Sequence, residues 1–272
     1  MVLPNDEDVP DVNAIWNGEY ADWKGAGADV EAGRGRGWLG FEWVALIAPG
    51  GGQSHWKKGH PLVEFFLNVC GVSAVYSADL KVWNGKGPLA RVAAISEDFF
   101  SQVALQSNEE ERVRRKGEQP LKKKVVVTGY STGGMLLSLL WSRCKEQRAR
   151  HLDAESMLLL MGTQFKFTSE VVKKYVWDFW TVEYQRKDPK RLAFLRGQHG
   201  SDDVWEAVVT GCRRWFDDGS EIFMGDDELK ELFGASSRAF LVTGEFDSTM
   251  YDSTFFMTGE LQHVCPAARV LV

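Results

Sequence analysis

Along this chain, short unbroken runs of apolar residues alternate with stretches whose apolar positions recur every three or four residues. The run Phe41-Glu42-Trp43-Val44-Ala45-Leu46-Ile47-Ala48 predicts a strand buried on both faces, and Pro49-Gly50-Gly51-Gly52 predicts the turn that ends it. Leu62, Phe65, Phe66 and Val69 then fall at helical spacing within 61–70. A strand over 72–78, a loop containing Asn84, Gly85 and Gly87, and a helix near 89–105 come next. Val125-Val126-Val127 predicts the following strand, and Met135-Leu136-Leu137-Ser138-Leu139-Leu140-Trp141 a buried helix close behind it. Further strands are predicted over 156–161 and 239–243. Continuous apolar strands alternating with helices predict an α/β fold with a mostly parallel sheet covered by helices on both faces.

Between 161 and 239 the alternation breaks. That interval is too long for a loop, and its apolar residues predict helices over 170–184, 203–216 and 227–233, rich in rings such as Trp177, Phe179, Trp180, Tyr184 and Trp205. Any one ring at helical spacing is most often packing, but as a group they predict a helical lid docked over the strand ends. The first forty residues are glycine-rich and carry Trp16, Trp23 and Trp38, which predicts an irregular leader with room for one hairpin. The expected organisation is a leader over 1–40, a core formed by 41–163 and 237–272, and a helical cap over 164–236 inserted between two strands.

The junction Gly129-Tyr130-Ser131-Thr132-Gly133 carries the candidate chemistry. Glycines two positions either side of Ser131 let neighbouring backbone approach where a Cβ would clash, so the serine can occupy a strained strand-to-helix turn. Such a turn presents the hydroxyl at the positive end of the following helix. A G-x-S-x-G string alone is common, and an ordinary glycine-rich turn is the alternative. The predicted strand before it and helix after it make the functional reading specific.

Four segments together resemble the α/β-hydrolase superfamily, closest in style to its capped proline iminopeptidase and esterase-like branch. Leu46-Ile47-Ala48-Pro49-Gly50-Gly51-Gly52-Gln53-Ser54-His55-Trp56 resembles the loop that supplies an oxyanion amide. Tyr76-Ser77-Ala78-Asp79-Leu80, with Gly85 and Gly87, resembles the strand and loop of an Asp-Leu-x-Gly-x-Gly motif. Gly129 to Gly133 resembles the nucleophile elbow, and Leu241-Val242-Thr243-Gly244-Glu245-Phe246-Asp247 the strand and loop that deliver the acid. The chain order, serine before aspartate, is the one this superfamily uses.

The resemblance implies a serine hydrolase acting on a small ester, amide or acyl-peptide through an acyl-enzyme, with no cofactor or metal. Ser131 would be the nucleophile, Asp247 the orienting acid, and the amides of Thr132 and of Gly51 or Gly52 the oxyanion donors. Trp56, Tyr130, Trp177 and Trp180 would wall the substrate pocket. A solvated turn aspartate, with Asp252 as its equal neighbour, is the alternative for Asp247. For an iminopeptidase, Glu183, Asp202 and Asp203 are candidates to hold a substrate amine.

Two departures stand out. Pro49-Gly50 occupies the place of the family's His-Gly, and the family's base histidine would fall a few residues past the final strand, beyond Val272. The sequence therefore reads as a hydrolase truncated before its base. The alternative is a catalytically inactive relative that binds a small ligand or a protein partner. Of the histidines present, His55 and His199 stand nearest to the assigned segments, while His60, His151 and His263 read as helix positions.

Composition narrows the partners. A net charge of -6 argues against a nucleic-acid surface, and the basic residues from Arg112 to Lys124 are broken by Gly117, Glu118 and Pro120, as in a solvated loop. Neither Gly50-Gly51-Gly52 nor Gly85-Lys86-Gly87 matches a phosphate-cradling motif. Cys70, Cys144, Cys212 and Cys265 are scattered without metal-ligand spacing and read as reduced thiols. Residues 1–11 lack the basic and apolar regions of a signal peptide, and no run is long enough to span a membrane. The expectation is a cytoplasmic protein with a small-molecule substrate, its oligomeric state open.

Overall fold

The computed structural model describes residues 12–16, 38–39, 42–50, 55–78, 88–113, 122–163, 165–167, 222–234, 237–242, 261 and 263–271, together with 189–190, 193 and 196–197. In chain order the elements are β1 (Val12–Trp16), β2 (Trp43–Ala48), α1 (Pro61–Glu64, continuing as a π-helical stretch over Phe65–Cys70) and β3 (Ala74–Ala78). Then come α2 (Pro88–Val113), β4 (Lys124–Tyr130), α3 (Thr132–Arg143), α4 (Lys145–His151) and β5 (Met157–Met161). A two-stranded ribbon of β6 (Lys166–Phe167) and β7 (Ile222–Phe223) precedes α5 (Asp226–Phe233), β8 (Ala239–Val242) and β9 (Arg269–Leu271).

The main sheet has the order β1-β3-β2-β4-β5-β8-β9. Every neighbouring pair is parallel except β1 with β3. The strands read as unbroken apolar runs because successive side chains serve two different cores. Val44, Leu46 and Ala48 of β2 join Val125 and Val127 of β4 in one layer, against Phe99 of α2 and Met135 and Leu139 of α3. Trp43, Ala45 and Ile47 face the opposite way with Val126, against Val63, Phe66 and Leu67 of α1 and its π-helical extension. Fully burying one such side chain stabilises the fold by about 1.5–3 kcal/mol. Leu229, Leu232 and Phe233 of α5 pack into the first layer, beside β5 and β8.

Strand order places the site. The chain leaves β2 for β3 on one side, then returns to add β4 on the other side of β2. In an open α/β sheet the crevice beyond the carboxyl ends of strands at such a switch point is where ligands bind. Here that crevice lies beyond Ala48 and Tyr130, two residues that end neighbouring strands with Ala48 opposite Gly129.

Three elements differ from the sequence expectation. Val12–Trp16, inside the stretch read as an irregular leader, is an antiparallel strand on β3, with Ala14 opposite Tyr76. Helix α2 runs on to Val113, past the predicted end near 105. Its extra residues, Gln106 to Val113, lack an apolar stripe but include Gln, Glu and Arg, which propagate a helix well. The predicted helix over 61–70 changes to π-helical at Phe65, and Gly71, with φ 73°, ends it.

Candidate active site

Ser131 joins β4 to α3 at the carboxyl edge of the sheet. It has φ 51° and ψ −120°, and among the described residues it is the one non-glycine residue with positive φ. A serine stays in such a region only when its surroundings over-determine it, at a cost of about 1–3 kcal/mol. Its N–H donates to the Met161 carbonyl at 3.0 Å, and its own carbonyl accepts from Met135 N–H at 3.1 Å. One residue thus ends the ladder with β5 and starts the helix. Its hydroxyl makes no capping bond to α3 and has no hydrogen-bond partner among the described residues. The first amide of α3, Thr132 N–H, is one of the donors that a helix leaves without an internal partner.

The glycines explain how so tight a turn fits. A Cβ on Gly129 would lie 2.5 Å from Gly134 N and 2.6 Å from the Gly133 carbonyl carbon, so β4 and the first turn of α3 touch backbone to backbone. A Cβ on Gly133 would lie 2.5 Å from the Ala48 carbonyl oxygen and closer still to that of Pro49. The segment leaving β2 therefore crosses directly over the start of α3. Gly50 continues it: a Cβ there would lie 3.5 Å from Ser131 Cβ and 2.9 Å from the Tyr130 ring.

The other candidate residues divide. Tyr130 is half-buried, ends β4 and packs against the β2–α1 layer beneath Gly50. Trp56, expected as a pocket wall, is 5% exposed and is a packing residue of that layer. Its N–H donates to Ser77 Oγ at 3.0 Å, and its ring stacks on His60 with centroids 4.6 Å apart. Gly51, Gly52, Trp177, Trp180 and Asp247 lie outside the described residues, as does His199.

Three described histidines are committed elsewhere. His60 caps α1, its Nδ1 accepting from Leu62 N–H at 3.2 Å, and burial holds its imidazole below the usual histidine range. His151 ends α4, just before the amino end of β5, where burial and then the Arg150 charge lower its pKa. His263 precedes β9 at that same amino edge. His55, half-buried, lies on the segment between β2 and α1, which starts from the carboxyl edge.

A concavity lies at the opposite edge. A cleft of about 310 Å³ opens beside the amino ends of β5 and β8, lined by Trp141, Arg148, Asp153, Ser156, Glu231 and Arg238 among others. It is separated from Ser131 by most of the length of α3, roughly 15 Å at 1.5 Å per residue. Among the described residues no group of three or more His, Cys, Asp or Glu side chains could hold a metal ion. No described helix is long and apolar enough to cross a membrane.

No family model matches the sequence, and no curated protein matches it either. Solved structures do. The Vlm2 thioesterase domain, with genetically encoded 2,3-diaminopropionic acid and bound with a dodecadepsipeptide, is similar over 86% of this chain and 84% of that chain, with a TM-score of 0.51 and 11% identity. The chain has the α/β-hydrolase fold. An α/β-hydrolase enzyme from a Medee basin deep-sea metagenome library is similar over 96% of this chain and 84% of its own, with a TM-score of 0.47 and 12% identity. Carboxyl esterase 2 from the mycorrhizal fungus Tuber melanosporum covers 84% of this chain, with a TM-score of 0.47 and 16% identity, and the match spans 66% of that esterase. In this α/β-hydrolase fold, Ser131 occupies the strand-to-helix turn at the switch point, where sequence reasoning expected it.

Sequence reasoning passed over Thr163, which is fully buried behind that turn and donates from Oγ1 to the Met161 carbonyl at 3.3 Å. A small polar residue after a glycine at the end of an apolar strand was the available signal. It is too common a pattern to single out unaided.

Proposed function

We propose that this chain is a serine hydrolase that forms an acyl-enzyme on Ser131. The observation that carries the reading is the left-handed turn at Ser131, whose hydroxyl makes no capping bond to α3 and has no partner among the described residues. In the proposed reaction Ser131 Oγ attacks a substrate carbonyl carbon and gives its proton to a base. The carbonyl oxygen takes up the negative charge against the Thr132 amide and one from Gly51 or Gly52. The leaving alcohol or amine departs protonated, and water then releases the acyl group as an acid.

Asp247 is the proposed orienting acid. In support, it follows β8 by five residues in sequence, and β8 ends at the same edge as β4 with β5 between them. The base is not assigned to a histidine of this chain: His60 is engaged in capping α1, His151 and His263 lie toward the amino edge, and His55 and His199 are the nearest stand-ins. Of the 164–236 segment, α5 packs on the sheet; the part before it, with Trp177 and Trp180, is the proposed cap over an apolar pocket suited to a small ester, amide or acyl-peptide, as in the capped esterase and iminopeptidase branch.

A second reading, binding without turnover, is favoured by one observation: no described imidazole partners the Ser131 hydroxyl. Hydrolysis of p-nitrophenyl butyrate separates the two. Turnover by the wild type that Ser131→Ala abolishes supports the hydrolase. Equal rates from the two proteins overturn it.

A further inference from the structure

We propose that Thr163 is a positioning residue for the Ser131 hydroxyl, acting through the Met161 carbonyl and the first turn of α3. This rests on the serine-hydrolase reading. Where β5 leaves the sheet, the Met161 carbonyl receives two donors, Ser131 N–H at 3.0 Å and Thr163 Oγ1 at 3.3 Å. A carbonyl oxygen has two lone pairs, so both bonds coexist. The same Thr163 Oγ1 lies against Gly134, close enough that a Cβ on Gly134 would overlap it. Thr163 thus touches both sides of the strained residue: the acceptor that fixes Ser131 N–H, and the helical turn that begins directly after it.

Between these contacts Gly162 turns the chain with φ 50°, and its N–H donates to the carbonyl of Val242, the last residue of β8, at 2.8 Å. Residues 161–163 therefore tie together the carboxyl ends of β4, β5 and β8. Val242 is also where the chain departs toward Asp247, five residues on. One three-residue clip fixes the turn bearing the proposed nucleophile and the root of the segment bearing the proposed acid.

Thr163 is 0% exposed, so it is not a catalytic residue. Its effect is on alignment. A positive-φ serine persists only where its surroundings hold it, and a misplacement of about 1 Å at a reacting atom costs on the order of 100-fold in rate.

The test is the rate at which a fluorophosphonate labels the full chain, beside the melting temperature of each variant. Thr163→Val keeps the shape and removes the hydroxyl; we expect labelling slowed about tenfold with Tm close to wild type. Thr163→Ser keeps the hydroxyl and loses a buried methyl; we expect a lower Tm and wild-type labelling. Thr163→Ala provides a second hydroxyl-free variant, expected to label slowly, should the valine not fold. Wild-type labelling by Thr163→Val or Thr163→Ala, or slowing that merely follows Tm across the variants, overturns the proposal. A wild type that does not label at Ser131 overturns the hydrolase reading and this inference with it.

Discussion

At the carboxyl edge of the sheet Ser131 holds a left-handed backbone with its hydroxyl unpartnered among the described residues, while the amino edge, around the cleft beside β5 and β8, has most of its polar groups bound up. There Arg148 Nη1 donates to the Trp141 carbonyl at 2.7 Å with its guanidinium 4.7 Å above the Trp141 ring, which caps the end of α3. Ser156 Oγ accepts from Val125 N–H at 3.0 Å, Ser237 Oγ bridges the Leu232 carbonyl and Ala239 N–H, and Glu231 pairs with Lys145 at 2.5 Å. The cleft at the amino edge is thus lined mainly by groups serving the fold, and the carboxyl edge carries the strain and a hydroxyl with no partner among the described residues. Concavity marks where a ligand fits, but chemistry requires a group whose bonding capacity is still open.

Breaking the carboxyl edge should cost most. Gly129→Ala drives a Cβ into the backbone of Gly133 and Gly134, so we expect a loss of about 3 kcal/mol or more, read from urea unfolding. A loss under 1 kcal/mol would mean that β4 and α3 separate easily and that the turn is not tight.

At the amino edge, Arg148→Ala removes one charged hydrogen bond and one cation–π contact. We expect about 1–2 kcal/mol of destabilisation and no change in ester hydrolysis per folded molecule. A specific loss of hydrolysis would erase the distinction between the edges. A smaller effect of opposite sign should come from Ser131→Gly. Glycine adopts φ 51° without a Cβ penalty, so this variant should gain about 1 kcal/mol over Ser131→Ala while both stay inactive.

The smallest effect concerns His60, whose imidazole is held below the usual histidine range by burial. The depressed folded pKa means that the unfolded chain takes up the proton first as pH falls. Its contribution is fully present above about pH 6.5 and is lost as pH drops through the folded value. His60→Asn keeps a capping acceptor at α1 but does not titrate. Stability curves from pH 5 to 8 should therefore be flatter for the variant; an unchanged slope would remove His60 from the account.

Much of the frame was legible because strands packed between two layers leave a plain mark: Val125-Val126-Val127, 156–161 and 239–243 read as strands from apolar runs alone. β1 was not, because an edge strand pairs on one side only and Val12-Asn13-Ala14-Ile15-Trp16 shows no such saturation. The Ser131 turn was legible from its two glycines, each of which excludes a Cβ for a reason now visible in backbone distances. Trp56 was ambiguous because a tryptophan beside a loop motif looks the same in sequence whether it faces a ligand or a core, and its packing with the β2–α1 layer appears only in the fold. Thr163 was silent because its role depends on Met161 and Gly134, which only folding brings together.

The central claim is that the Ser131 hydroxyl is the reactive group of the carboxyl edge. Intact-protein mass spectrometry with peptide mapping after exposure to a fluorophosphonate tests it most directly. The account predicts one phosphonyl adduct per chain, located on Ser131 and absent from Ser131→Ala. An adduct at any other residue, or an unmodified wild type, would contradict it.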